Sequence, residues 1–158
     1  MRLALAPEIG PVLAHRLLDR FGEAAAIFRA GQRELLDVPG MGQGRLRHLL
    51  DEGVLRAARA ELAAAERAGV TILPLDHNDY PELLRRLPFA PPVIWVRGRL
   101  DACDRLGLAI VGPRSPSAYA RLMVDSLAPP LAAHGLTLIS GLAHGVDAAV
   151  HRAALEAG

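Results

Sequence analysis

One stretch of the chain gathers the groups that hold an anion. Gly112 and Gly141 permit close backbone approach, and Ser115, Ser117 and Ser140 carry hydroxyl donors. Between them Arg114 adds a full charge on a planar fork that donates two hydrogen bonds at once. Both segments follow aliphatic runs, residues 108–111 before Gly112 and residues 136–139 before Ser140. A short run without polar alternation reads as a strand covered on both faces, and the segment from about Ala118 reads as a helix. The unit is therefore βαβ, with parallel strands. Residues 112–114 and 140–141 then lie at the carboxyl ends of two strands, on the rim where open α/β sheets bind ligands. The two following helices direct the positive ends of their dipoles to that rim. Neither strong phosphate fingerprint, G-x-x-x-x-G-K-[ST] or G-x-G-x-x-G, is present.

The acids and sulfur nearby suggest support rather than reactivity. Asp147 and His151 lie at i, i+4 on one helix face, with His144 just before them. A metal site needs three or four convergent ligands and partners that orient them, so no metal is expected. Asp147 suits a structural role, accepting backbone N–H bonds near the helix start and facing away from the pocket, with His151 packed behind it. Cys103 is the sole cysteine, which excludes an internal disulfide and a cysteine-based zinc cluster. It has no histidine neighbour, so a catalytic thiolate is not expected. Trp95, within an apolar run, reads as core packing rather than a base-stacking group.

The elements that must position these residues follow from two periodicities that meet near Gly69. Before it, apolar residues recur at helical spacing: Leu13, Leu17, Leu18 and Phe21, then Leu46, Leu49 and Leu50, then Leu55, Ala58 and Leu62. After it come short apolar runs at residues 70–75, 93–96, 108–111 and 136–139. The expected architecture is α/β. An all-helical, helix-hairpin-helix (SAM-like) domain over residues 1–69 precedes a partial Rossmann-like, mainly parallel sheet over residues 70–158. With 158 residues, 51% of them hydrophobic and mostly Ala and Leu, there is material for such cores. Net charge is +1, split evenly as 10 Arg against 9 acids before residue 70 and 8 against 8 after it, so any basic site must be local. All 18 basic residues are Arg, which biased codon usage explains. No apolar run approaches the roughly 18 residues of a membrane span, and the N-terminal apolar stretch is too short for a signal peptide. A cytoplasmic protein with no membrane partner is expected.

The helical part repeats itself at an offset of 32 residues: Pro7-Glu8-Ile9-Gly10 recurs as Pro39-Gly40-Met41-Gly42, and Leu17-Leu18-Asp19 as Leu49-Leu50-Asp51. Each half reads as a tight hairpin leading into a helix whose N-terminal amides suit a phosphate. Glu8 opposes that role at the first hairpin. The second, with Gly42, Gln43, Arg45 and Arg47, is the better secondary contact. A purely structural pair of helical corners fits the same pattern. A long helix from Glu52 to Ala68 ends at Gly69.

The string Ala109-Ile110-Val111-Gly112-x-Arg114-x-x-Ser117-x-Tyr119 is followed by Ser140-Gly141-Leu142-Ala143-x-Gly145-Val146-Asp147-x-x-x-His151. Together with Tyr80-Pro81 and Pro92-Val93-Ile94-x-Val96-Arg97-Gly98, it resembles the DNA-processing protein A (DprA, or Smf) family. The resemblance covers essentially the whole chain. It implies a non-enzymatic, cofactor-free protein that binds single-stranded DNA in natural transformation, loads the RecA recombinase and forms a homodimer when full-length. Arg114 would then grip a phosphate, with Gly112, Ser115, Ser117, Ser140 and Gly141 lining the pocket, and no sequence readout. Tyr119 and Arg121, in the first turn beyond the loop, are further candidates for an exposed nucleic-acid contact. The sequence departs from the family at Pro113, which removes an N–H donor, and at Pro129-Pro130, expected to interrupt the crossover helix. Family members continue beyond the point where this chain stops, so it reads as a fragment lacking the usual dimer surface, with low DNA affinity of its own.

Two other classes compete. A nucleotide-binding Rossmann-like enzyme cleaving the glycosidic bond of a nucleoside monophosphate would need a poised carboxylate, and only Asp147 is placed to serve. A protein-interaction module would instead dock a partner on the helical domain.

Overall fold

The computed structural model describes residues 1–101 and 106–157 and divides into two compact units, Met1–Arg99 and Leu100–Gly158. Cys103 lies outside the described residues. The compact units part after Arg99, while the change from helices to strands falls at Gly69, between the helix Glu52–Arg67 and the strand Val70–Pro74.

The first unit opens with six helices, α1 (Arg2–Leu5), α2 (Pro11–Phe21), α3 (Ala24–Arg29), α4 (Gln32–Leu36), α5 (Gln43–Leu50) and α6 (Glu52–Arg67). Their apolar faces meet in one core, where Leu17, Ile27, Leu35 and Leu49 have no exposed surface. The 32-residue repeat is visible in the backbone. Glu8 and Gly40 both turn at positive φ, 61° and 92°. Ile9 and Met41 are buried, and Gly10 and Gly42 are the extended N-caps of α2 and α5. The hairpins also brace each other. Arg16 of α2 donates to the Pro39 carbonyl at 2.9 Å, while His48, its counterpart one repeat on, faces Glu8 at 3.6 Å. Helix α6 starts on Asp51, whose Oδ1 accepts the Gly53 amide, and turns out of its last turn at Gly69, φ 63°.

A hairpin-like pair completes this unit: β1 (Val70–Pro74) and β2 (Val93–Arg97) run antiparallel, Val70 opposite Arg97 and Pro74 opposite Val93. A short helix, α7 (Glu82–Arg85), lies between them, and β1 packs on α6. Tyr80 is buried with its hydroxyl donating to the Pro91 carbonyl at 2.8 Å. Burial pushes its phenol up, with the nearby Arg85 guanidinium pulling the other way. The expectation that these two runs are covered on both faces fails. Leu73 and Val93 point to the core, whereas Trp95 is 41% exposed and so is not a core residue. An antiparallel pair needs cover on one face only, and the sequence run does not say which residues receive it.

The second unit is the βαβ element. Strand β3 (Gly107–Ala109) pairs in parallel with β4 (Thr137–Ile139), joined by α8 (Ala118–Ala133) and followed by α9 (Val146–Ala157). Val124 and Ala128 of α8 pack with Val146, Val150 and Ala153 of α9, and Ile110 and Leu138 border this core. These strands too are covered incompletely: Leu108 and Ile139 are exposed. Helix α8 is not interrupted by Pro129 and Pro130, which both lie inside it. Their fixed φ is already helical, so the chain gives up two ladder hydrogen bonds and keeps its course. Gly135, at φ 81°, then turns the chain into β4.

Candidate nucleic-acid interface

The βαβ unit brings the loops after β3 and β4 side by side. The strand ladder continues one step past β3, the Ile110 amide donating to the Ile139 carbonyl at 3.0 Å. Ser140 Oγ then crosses back to donate to the Ile110 carbonyl at 2.7 Å. Further out, the Val146 amide donates to the Pro113 carbonyl at 3.2 Å. Three glycines make this seam possible. A Cβ on Gly112 would lie 2.6 Å from the Val146 side chain, and one on Gly141 would lie 2.9 Å from Asp147 Oδ2. A Cβ on Gly145, at φ 90°, would lie 2.4 Å from the Pro113 carbonyl oxygen and 2.5 Å from that of Arg114.

Around this seam the predicted residues divide by what their polar atoms already do. Arg114 and Ser115 are exposed, and among the described residues no acid pairs with the Arg114 guanidinium. Ser117 is the N-cap of α8, its Oγ accepting the Ala120 amide at 3.2 Å, and its hydroxyl hydrogen can still donate outward. The amides of Ala118 and Tyr119 are among those a helix leaves unpaired. The start of α9 is less open than expected, because the Val146 amide is spent on Pro113. Ser140 is likewise committed to Ile110, so it ties the loops together and offers only its lone pairs outward. Tyr119, 69% exposed, and Arg121 extend the surface along the first turn of α8.

Asp147 is 7% exposed and its Oδ2 accepts the Ala143 amide at 3.4 Å. Its Oδ1 and His151 Nε2, one turn on, are both buried without a hydrogen-bond partner. Asp147 therefore sits beneath the 140–145 loop. Among the described residues, no group of three or more His, Cys, Asp and Glu side chains is gathered as a metal would require.

Two residues of the quoted motif carry features that their sequence context does not assign. Gly145 makes the tightest backbone approach in the seam, and its place in the quoted motif was its only signal. Leu142 stands at φ 55° and is 80% exposed. Nothing in a leucine foretells either.

The secondary site is only partly open. Gly42 caps α5, and Gln43 and Arg47 are exposed beside a concavity of about 360 Å³ that Gln32 and Asp51 also line. Arg45, expected to reach DNA, is engaged: it donates to the Gly40 carbonyl at 2.6 Å and pairs with Glu8 at 3.8 Å. Replacing Glu8 with glycine removes the αL strain of a non-glycine residue, about 1 kcal/mol. The exposed ion pairs lost with it are worth less than about 1 kcal/mol. Glu8→Gly is therefore expected to leave the first unit as stable or slightly more so, read by urea unfolding.

Comparison with known proteins places the chain in a family. The family model of the DNA recombination-mediator protein A matches residues 71–158, more than half of the chain. The chain belongs to this family. A second model, the SAM-like helix-hairpin-helix tandem, matches residues 2–52, where the braced hairpins lie. Among curated relatives, Protein Smf of Synechocystis sp. is 30% identical over 152 residues, covering 94% of this chain and 38% of its own length. The DNA processing protein DprA of Bacillus subtilis is 31% identical over 97 residues, 61% of this chain and 33% of its own. Protein Smf of Escherichia coli is 33% identical over 101 residues, 64% of this chain and 27% of its own. The chain thus spans about a third of the length of these relatives. The family is one of DNA-processing proteins, and no helix among the described residues is long and apolar enough to cross a membrane.

Proposed function

We propose that this chain binds single-stranded DNA at the rim formed by residues 112–117 and 140–145, with Arg114 gripping a backbone phosphate. The carrying observation is that the two loops are locked together while the Arg114 guanidinium stays exposed and unpaired by any described acid. A rigid seat with a free fork holds a phosphate at little ordering cost. Ser115 and the outward hydroxyl of Ser117 supply neutral donors beside it, and Tyr119 and Arg121 lengthen the track. In this reading the seat holds DNA strands in the cytoplasm for transfer to the RecA recombinase, in a protein that acts as a homodimer. The glycosidic-bond enzyme is disfavoured by Asp147, which is buried and turned to the Ala143 amide rather than poised at the rim. No cofactor enters this reading.

Arg114→Ala should weaken binding of labelled oligo-dT about tenfold, the scale of one charge-assisted hydrogen bond. It should also flatten the dependence of log affinity on log salt by about 0.7, one phosphate contact on a single strand. Fluorescence anisotropy over a salt series reads both. Unchanged affinity and slope in the variant would remove Arg114 from the site.

A further inference from the structure

We infer that Leu142 is the residue by which the rim distinguishes an unpaired base from a paired one, its side chain packing on the base next to the phosphate held at Arg114. The inference rests on the phosphate seat proposed above and adds a second contact to it.

Leu142 combines two features that each oppose stability. Its side chain is 80% exposed, among the most exposed large apolar groups described. Its backbone is left-handed, φ 55°, in a branched residue for which that region is disfavoured. Neither feature is repaid by packing within the chain. Strain of this kind persists where surrounding structure imposes it, and the surroundings here do so. Before Leu142, the Ser140 hydroxyl anchors the loop to Ile110. After it, the Ala143 amide is held by the buried Asp147, and Gly145 is pressed against the Pro113 and Arg114 carbonyls. The loop is thus fixed on both sides of its apex, and the apex carries an aliphatic group into solvent on the segment laid against the Arg114 loop. Val111, 75% exposed, adds a second apolar group on the other side of the seam.

A guanidinium and hydroxyls alone meet the phosphates of any nucleic acid, single or double. In a duplex the faces of the bases are stacked and paired. On a single strand they are free, and an aliphatic side chain held beside the phosphate covers one of them whatever the base. An apolar apex therefore adds affinity for unpaired strands only, without sequence preference.

The test uses the whole chain and three probes: oligo-dT, an abasic oligonucleotide of equal length, and a duplex. Asparagine tolerates the left-handed region and leaves the loop conformation in place while removing the aliphatic contact. Leu142→Asn should lose about fivefold in affinity for oligo-dT, toward the lower end of base-contact effects. Its affinity for the abasic strand should not change, and its salt slope should stay that of the wild type. Leu142→Phe should hold or raise oligo-dT affinity. If Leu142→Asn binds oligo-dT as the wild type does, or loses equally on the abasic strand, the base contact is overturned while the phosphate seat stands. If the wild type binds neither strand, or Arg114→Ala changes nothing, the phosphate seat fails and this inference with it. Thermal unfolding of both variants guards against a folding defect, and Leu142→Asn should melt at or above the wild-type temperature.

Discussion

Gly145→Ala should cost the Leu100–Gly158 unit roughly 3 kcal/mol or more, the scale of combined backbone strain and steric overlap. Two effects add. At φ 90° the residue occupies a region that side chains rarely enter, and the new Cβ would stand 2.4 Å from the Pro113 carbonyl oxygen and 2.5 Å from that of Arg114. Both obstacles are backbone, so relief means parting the loops and breaking the bond from the Val146 amide to Pro113. Gly135→Ala is the matched control. It lies in the same unit at φ 81°, with nothing within 4 Å of its Cβ position. It should cost only the conformational part, about 1 kcal/mol. Urea unfolding compares the two. Equal losses would mean that the loops do not approach as described.

The helical unit offers the second large effect. Leu17 and Leu49 stand one repeat apart, both without exposed surface. Truncating either to alanine removes buried methyl groups and leaves a cavity that short helices cannot fully close, about 3 kcal/mol each. The duplicated architecture adds a sharper expectation: the two losses should agree within about 1 kcal/mol, since the transfer term is the same and only cavity relaxation differs. Denaturant midpoints of Leu17→Ala and Leu49→Ala test this, and a loss at one position alone would mean that the halves are not equivalent in packing.

How much of this was legible follows from where each signal lives. The βαβ unit and the meeting of residues 112–114 with 140–141 were readable, because apolar runs ended by glycine or serine fix strand ends and topology fixes the shared rim. The tandem hairpins were readable from Pro-x-x-Gly and Leu-Leu-Asp recurring together. The pairing of β1 with β2 was not, since an apolar run carries no record of its partner or of its uncovered face. The exposure of Trp95 follows from that same gap. Arg45 looked available because the acid that engages it, Glu8, is distant in the chain and near only after the hairpins pack together. The tandem prolines misled for a different reason. Helix propensity scores a missing donor as a break, yet tertiary packing of Val124 and Ala128 against α9 carries the helix through. The conformation of Leu142 is imposed by its neighbours, so no local rule reports it.

Those prolines also divide α8 in a way that deuterium uptake can see. With no amide on Pro129 or Pro130, the carbonyls of Asp125 and Ser126 lack their usual acceptance from four residues ahead. With two rungs fewer, the ladder that joins the two halves of α8 is weaker at this point than on either side. Deuterium uptake is therefore expected to divide α8 in two, with the amides around Val124 and Ala128, which pack on α9, the slower to exchange.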